Sequence, residues 1–296
     1  MTGLLIRAHG GFFDVETEQG YTIPCRARGR LHLDGTEPLP GDSVRWKEDE
    51  HHNGFGILTG IEPRQNVFIR PNMANLQQLV YVASVARPRT DPYLIDLMSV
   101  VARKAKCEFL LCVNKTDLES PEPLCKIYQK CDFPVLSVSA ETGQGVDELR
   151  KQLSGKISAF TGNSGVGKST LLNALFPELS LQTGEISDKL GRGRHTTRTV
   201  ELFKKHGGYI ADTPGFSTVD IERFELIRKD ELKFAFPEFD EYFGTCQFNS
   251  CNHVCEKGCR VLKAVEEGII PHSRHDSYVR MYNEVKDIKE WQINNK

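Results

Sequence analysis

Asn114-Lys115-Thr116-Asp117 stands ahead of Gly162-Asn163-Ser164-Gly165-Val166-Gly167-Lys168-Ser169 in this chain, and Asp212-Thr213-Pro214-Gly215 follows both. The second stretch fits a GxxxxGK[ST] phosphate loop, in which glycines let backbone N–H groups crowd around phosphates. Lys168 is expected to reach the β- and γ-phosphates, and Ser169, ahead of Thr170, to set its hydroxyl on Mg²⁺. Ile157-Ser158-Ala159-Phe160 reads as a strand before the loop and Ser169 to Leu175 as a helix after it. The helix N-terminus adds its own attraction for anions. A phosphate loop ordinarily opens its domain and NKxD comes near the end. Here the order is reversed, which predicts the same parts cut at another point, a circular permutation.

The base is read from the first stretch. Asn114-Lys115-Thr116-Asp117 follows Phe109-Leu110-Leu111-Cys112-Val113, a continuous apolar run of the kind that forms a buried parallel strand. A carboxylate at the strand's end, Asp117, can accept from the guanine N1–H and exocyclic amine together. Adenine presents the wrong groups there, and an unpaired buried carboxylate costs about 1–3 kcal/mol or more. Ser137-Val138-Ser139-Ala140-Glu141-Thr142-Gly143 reads as a companion loop, with Ser139 and Ala140 at the guanine edge. The expected nucleotide is therefore GTP.

Asp212 follows the short strand Tyr209-Ile210-Ala211 and is expected to hold Mg²⁺ through water, with the Gly215 N–H sensing the γ-phosphate. The best-known GTPases place a Gln next to orient the attacking water, whereas this chain has Phe216, which cannot. The candidate replacement is His195, in Gly191-Arg192-Gly193-Arg194-His195-Thr196-Thr197-Arg198, the place of a first switch loop. His195 reads equally as a solvated residue of a basic stretch. Thr196 or Thr197, with Thr197 preferred, should close on Mg²⁺ and the γ-phosphate.

Cys246-x4-Cys251-x-His253-x5-Cys259 is a second constellation. Three thiols and one imidazole match a closed Cys₃His site for one structural Zn²⁺. Cys255, in the same cluster, is read as the spare thiol. Nine cysteines without a secretory signal argue against disulfides. Cys25, Cys107, Cys112, Cys125 and Cys131 read as small buried hydrophobes.

Residues 1–64 look all-β, with short strand patterns such as 11–15, 21–28 and 42–47 between Gly, Pro and Asp turns. That is the size of an OB-type barrel. Arg26, Arg28 and Arg30 alternate and so share one strand face, either an RNA-facing stripe or a solvated β surface. The segment carries ten acidic residues against seven Lys and Arg, so any RNA contact must be local. Residues 65–221 alternate strand and helix patterns, the α/β layout of the GTPase domain. They include Leu79–Val85 as a strand, and 94–102 and 143–153 as helices. Residues 222–296 look mainly helical around the cysteines, with an amphipathic helix from Asp276 to Trp291. The net charge of −2 gives no global signal for nucleic acid. No apolar run approaches membrane-spanning length, so no membrane partner is expected. A cytoplasmic monomer is the expectation.

A β-barrel, NKTD before GNSGVGKST before DTPGF, and a C-x4-C-x-H-x5-C tail together resemble the RsgA/YjeQ family of circularly permuted, small-ribosomal-subunit biogenesis GTPases. The resemblance spans essentially the whole chain. It implies a factor that binds the immature small subunit and its rRNA, assists late maturation, and hydrolyses GTP faster when bound there. It assigns the phosphate site to Gly162–Thr170, the guanine site to Asn114–Asp117, zinc to Cys246, Cys251, His253 and Cys259, and catalysis to His195. The family's basic N-terminal extension is not matched ahead of the barrel, so that part of any RNA affinity is not expected. Two other classes remain on sequence alone: an RNA-binding scaffold with structural GTP, and a GTPase of membrane or metal trafficking.

Overall fold

The computed structural model describes residues 1–27, 36–52, 54–69, 71–179, 200–212 and 227–288. Arg28, Arg30, His195, Thr196, Thr197, Gly215, Phe216 and Trp291 lie outside the described residues.

The N-terminal strands are β1 (Thr2–His9), β2 (Phe12–Thr17), β3 (Thr22–Ala27), β4 (Ser43–Glu48) and β5 (Gly56–Ile61). They pair in the order β1-β2-β3-β5-β4, and β4 returns to β1, which closes a five-stranded barrel. Period-two alternation explains its core: Leu5, Val15, Ile23, Cys25, Val44, Trp46 and Leu58 face inward. Gly3 permits the tight β1–β2 approach, since a Cβ there would lie 2.5 Å from a Val15 methyl and 2.7 Å from the Glu16 carbonyl oxygen.

After a short antiparallel pair, β6 (Val67–Phe68) and β7 (Met73–Ala74), a second region carries β8 (Gln78–Ser84), β9 (Glu108–Asn114), β10 (Val135–Ser137), β11 (Ile157–Thr161), β12 (Glu201–Lys205) and β13 (Gly208–Asp212). The order β10-β9-β8-β11-β13 is parallel throughout, and β12 adds antiparallel to β13. Helices α1 (Pro92–Lys104), α2 (Glu122–Tyr128), α3 (Val146–Leu153) and α4 (Lys168–Leu175) connect these strands. Two apolar clusters follow from strands with both faces covered. One holds Leu79, Tyr81, Leu111 and Ile95, the other Val80, Leu110, Leu149 and Leu171. The strands at 79–85, 109–113, 157–160 and 209–211 match their sequence patterns to within a residue or two. The helix expected over 143–153 begins only at Val146, because Gly143 and Gly145 take positive φ and end the preceding loop.

The barrel is not a separate sheet. β1 pairs antiparallel with β12 through Arg7 and Glu201, so one eleven-stranded sheet runs from β10 into the barrel. Among the described residues no helix is long and apolar enough to cross a membrane.

The C-terminal region holds α5 (Lys229–Leu232), 3₁₀ turns at Lys233–Ala235 and Pro237–Tyr242, α6 (Arg260–Glu266) and α7 (His272–Val285). The last helix starts four residues earlier than the Asp276 expected from its apolar stripe. Its first turn carries Arg274 and His275, polar residues that are nevertheless buried. Tyr278, Met281 and Val285 of the stripe are buried with Phe236 and Phe239. Cys25, Cys107 and Cys112 are buried as expected, whereas Cys125 and Cys131 are only half-buried against the first α/β cluster.

Candidate active site and metal centre

Parallel strands deliver the loops after β8, β9, β10 and β11 to one sheet edge, where open α/β sheets bind ligands. Asn114 ties three of these segments together. Its amide nitrogen donates to the Val166 carbonyl at 3.0 Å, and its amide oxygen accepts from the Ala140 N–H at 3.1 Å. Gly167, at φ 94°, is required at that junction, because a Cβ would stand 2.5 Å from the Asn114 amide nitrogen. Lys115, a non-glycine residue at φ 65°, donates from Nζ to the carbonyls of Gly165 and Arg87, each at 2.8 Å. Thr116 Oγ1 donates to the Val138 carbonyl at 2.9 Å.

Asp117 is exposed, and its Oδ1 accepts from Ser139 Oγ at 2.6 Å. Ser139 Oγ also accepts from the Thr142 N–H at 3.2 Å, so the hydroxyl fixes the carboxylate to the β10–α3 loop. This arrangement aims one oxygen and leaves the other without a protein donor among the described residues.

The phosphate loop wraps the start of α4. Lys168 Nζ donates to the carbonyls of Gly162 and Asn163, the latter at 2.8 Å. Burial lowers the Lys168 ammonium from its usual value to about 8. Among the described residues Asn163 Oδ1 is buried without a hydrogen-bond partner, the kind of acceptor that a bound ligand or water satisfies. Ser164 is exposed and Ser169 is buried in the first turn of α4, next to Thr170. Asp212 ends β13, the strand beside the phosphate-loop strand β11. Mg²⁺ asks for hard oxygen donors, and a serine hydroxyl with a carboxylate is such a set. The predicted partner Thr197, the water-positioning candidate His195 and Gly215 lie outside the described residues.

In the C-terminal region the structure brings Cys246, Cys251, His253 and Cys259 together, with their ligand atoms all within 4.8 Å of one another. His253 Nδ1 stands 3.4 Å from Cys259 Sγ and 3.6 Å from Cys246 Sγ, and those two sulfurs are 3.9 Å apart. Bonds of 2.3 Å to sulfur and 2.0–2.1 Å to nitrogen give tetrahedron edges of about 3.5–3.8 Å, so the donor set fits zinc. Burial, with Lys233 second, lowers the His253 pKa and favours the neutral imidazole that a metal needs. Cys255 is exposed and outside the group.

Sequence reasoning missed what holds this centre. The Glu256 carboxylate accepts from the N–H groups of Asn252, Val254 and Cys255 at 2.7, 2.8 and 3.0 Å. Burial raises its pKa, but these bonds and that to its own N–H outweigh it and hold the carboxyl below its usual range. An acidic residue beside a glycine-containing turn between ligands was the available signal. His275 Nε2 lies 2.7 Å from the His253 carbonyl oxygen, and Tyr278 donates to the Asn252 carbonyl.

Comparison with known proteins places these features together. A family model described as RsgA GTPase matches residues 61–222, and one described as RsgA N-terminal domain matches residues 2–55. The small ribosomal subunit biogenesis GTPase RsgA of Caldanaerobacter subterraneus subsp. tengcongensis is 43% identical over 289 residues, 96% of each chain. The protein of the same name from Thermotoga maritima is 40% identical over 290 residues, again 96% of each. Among solved structures, YjeQ from Thermotoga maritima superposes with a TM-score of 0.83 at 38% identity, covering 97% of this chain and 99% of that one. YloQ, described as a circularly permuted GTPase, gives 0.81 at 32% identity, covering 97% and 96%.

Proposed function

The chain belongs to the RsgA GTPase family and is a GTP hydrolase, and from that premise we propose that it binds the small ribosomal subunit, assists its late maturation, and hydrolyses GTP as a subunit-stimulated release timer. The observation that carries the nucleotide reading is Asn114, whose one amide joins the phosphate loop to the Ser139–Ala140 loop.

In this reading Asp117 accepts from the guanine N1–H and amine, while Asn114, Lys115, Thr116, Ser139 and Ala140 hold it in place. Backbone N–H groups of Gly162 to Thr170 surround the phosphates. Lys168 leaves the loop carbonyls for the β- and γ-phosphate oxygens. Ser169, Asp212 and Thr197 are the residues that would hold Mg²⁺, which when bound neutralises charge developing on the phosphoryl oxygens. Gly215 senses the γ-phosphate and His195 orients the attacking water, because Phe216 offers no hydrogen bond. Loss of the γ-phosphate then acts near Gly215 on the connection toward the cysteine-bearing region, an order–disorder switch of the GTPase kind. Cys246, Cys251, His253 and Cys259 hold one structural zinc.

We read the chain as three units, 1–64, 65–221 and 222–296. The end of β5 at Ile61 and the start of α5 at Lys229 support these bounds. The barrel is assigned to rRNA, on a mixed basic and aromatic face. The Arg26 guanidinium stacks at 5.0 Å over both Phe12 and Phe55. A cytoplasmic monomer completes the reading.

The test is GTP turnover by the pure protein, alone and with added small or large subunits. Stimulation by small subunits alone is the expected result, and no rise with either would sink the timer. His195→Ala should remove about 10²–10⁴-fold of the stimulated rate, in the range of a lost proton-handling or water-positioning group. An unchanged rate returns His195 to a solvated loop.

Lys168 gives a pH prediction. Its free ammonium titrates near 8, and pairing with phosphate raises that value. Binding therefore takes up a proton above pH 8: affinity should be flat below it and weaken up to tenfold per pH unit above it. Calorimetry at pH 8.5 in two buffers of different ionisation heat measures the uptake directly. Equal heats would refute the assignment.

A further inference from the structure

The C-terminal region meets the GTPase domain chiefly at α1, where Tyr93 and Val100 join its apolar cluster and a buried polar network crosses the same surface. Arg274 of α7 is buried, and its Nη1 donates to Asp96 of α1 at 2.7 Å. Its Nε and Nη2 donate to the two oxygens of Glu238 at 2.6 and 3.2 Å. Tyr128 of α2 donates to the same Asp96 oxygen at 2.9 Å, and the guanidinium lies 4.7 Å over the Phe236 ring. One turn nearer the start of α1, Tyr93 donates to Glu284 at 3.1 Å, and Arg280 stacks 3.6 Å over its ring. An apolar interface tolerates sliding. A planar fork shared between two carboxylates does not, because a shift of about an ångström leaves a buried charge unpaired.

The other end of α1 leads to the nucleotide loops. Asp91 caps the helix by accepting from the Tyr93 N–H at 3.0 Å. Thr90 Oγ1 accepts from the Ser84 N–H at 2.8 Å, which folds residues 85–90 into a short loop at the end of β8. In that loop the Arg87 carbonyl takes one bond from Lys115 Nζ, and the Gly165 carbonyl of the phosphate loop takes another. Pro88 packs so close that a Cβ on Gly165 would stand 3.1 Å from its ring. From Arg274 to the phosphate loop the path is therefore one helix and one pinned loop.

We propose that α1 is the element through which the cysteine-bearing region positions the nucleotide site, with Asp96 and Arg274 as its positioning residues. A displacement of α7 turns or tilts α1 as a unit. That moves the Arg87–Pro88 loop against Lys115 and Gly165, and so changes how firmly the phosphate loop is held. A partner grasping the C-terminal region acts on GTP by this route, in addition to any pull through the segment after β13. The inference rests on the GTP reading of the site but not on the identity of the partner.

The test uses the full-length chain with Arg274→Lys, which keeps the charge but loses the fork, and Tyr93→Phe, which keeps the ring but loses the bond to Glu284. Zinc content and melting are measured first. For the folded variants, the dissociation rate of a fluorescent GDP analogue and the KM and kcat for GTP are then compared with wild type. Nucleotide release and KM should rise roughly tenfold in Arg274→Lys and severalfold in Tyr93→Phe, with kcat at saturating GTP retained, within the range of coupling through packed elements. A merely structural role would instead lower the active fraction, reducing kcat with KM unchanged. Wild-type KM and release rates in both folded variants would overturn the proposal. These readouts need no ribosomal subunit, so an unresponsive wild type would count against the release timer alone. Should Arg274→Lys fail to fold, Tyr93→Phe still decides the question.

Discussion

Asp117→Asn is expected to weaken GTP binding by about 10²–10⁴-fold while leaving the protein folded, and to shift its preference toward xanthosine triphosphate. The carboxylate is exposed at the end of β9 and held by Ser139 Oγ at 2.6 Å, so one oxygen is fixed and the pair is aimed. Guanine offers two parallel donors, N1–H and the exocyclic amine. Each charge-assisted bond contributes about 1.5–3 kcal/mol, and an amide accepts only one of them while turning its own NH₂ against the other. Xanthine carries a carbonyl where guanine has the amine, so the same NH₂ finds an acceptor. Stability should change little, because the residue is at the surface and Ser139 can donate to the amide oxygen equally well. Competition between the two nucleotides for a fluorescent analogue measures the switch. Equal guanine affinity in the variant would mean that Asp117 does not read the base and that the loop 137–143 is misassigned.

Much of this site was legible because its chemistry demands fixed residue types at contiguous positions. A phosphate loop must contain glycines where a side chain would collide, and Gly162 and Gly167 do sit at such positions, against the Val82 carbonyl and the Asn114 amide. A closed zinc site needs four soft or imidazole donors, and one short segment supplied them. The barrel was legible for a related reason, since alternation along 11–15, 21–28 and 42–47 is a local signal of one buried face. What escaped was pairing at long separation. The β1–β12 contact joins residues 7 and 201, and the Asp96–Arg274 pair spans 178 positions. No periodicity encodes either. The apolar stripe from Tyr278 onward sets the expected helix start at Asp276, and the polar Arg274 and His275 lie ahead of it. Tertiary partners bury them instead, and the helix begins at His272. Asn114 belongs to the expected guanine site, and its sequence position does not show that its amide also bridges the Val166 carbonyl and the Ala140 N–H.

Removing the metal is expected to unfold residues 227–288 while the barrel stays intact. The local apolar cluster is built partly on the ligands themselves: Cys251 and Cys259 belong to it, with Phe236, Phe239 and Tyr278. Its backbone is short helices and turns, none of which is stable alone at such lengths. A structural zinc contributes about 10–16 kcal/mol at neutral pH, more than a region of this size gains from its core. Without it, three thiols and an imidazole within 4.8 Å of one another offset none of the ordering of the 246–259 loop. The Glu256 carboxylate, which accepts from three N–H groups of that loop, then loses its geometry as well. A strong chelator should therefore abolish protease resistance in the C-terminal region, while hydrogen exchange in the barrel around buried Trp46 is unchanged. Cys251→Ser should do the same and lose the bound zinc. Cys255→Ser should keep one zinc per chain and wild-type melting, because that thiol is exposed and outside the group. Resistance that survives chelation would show that the four side chains are packed for some reason other than a metal. Loss of zinc in Cys255→Ser would move the ligand set by one residue and reopen the loop's register.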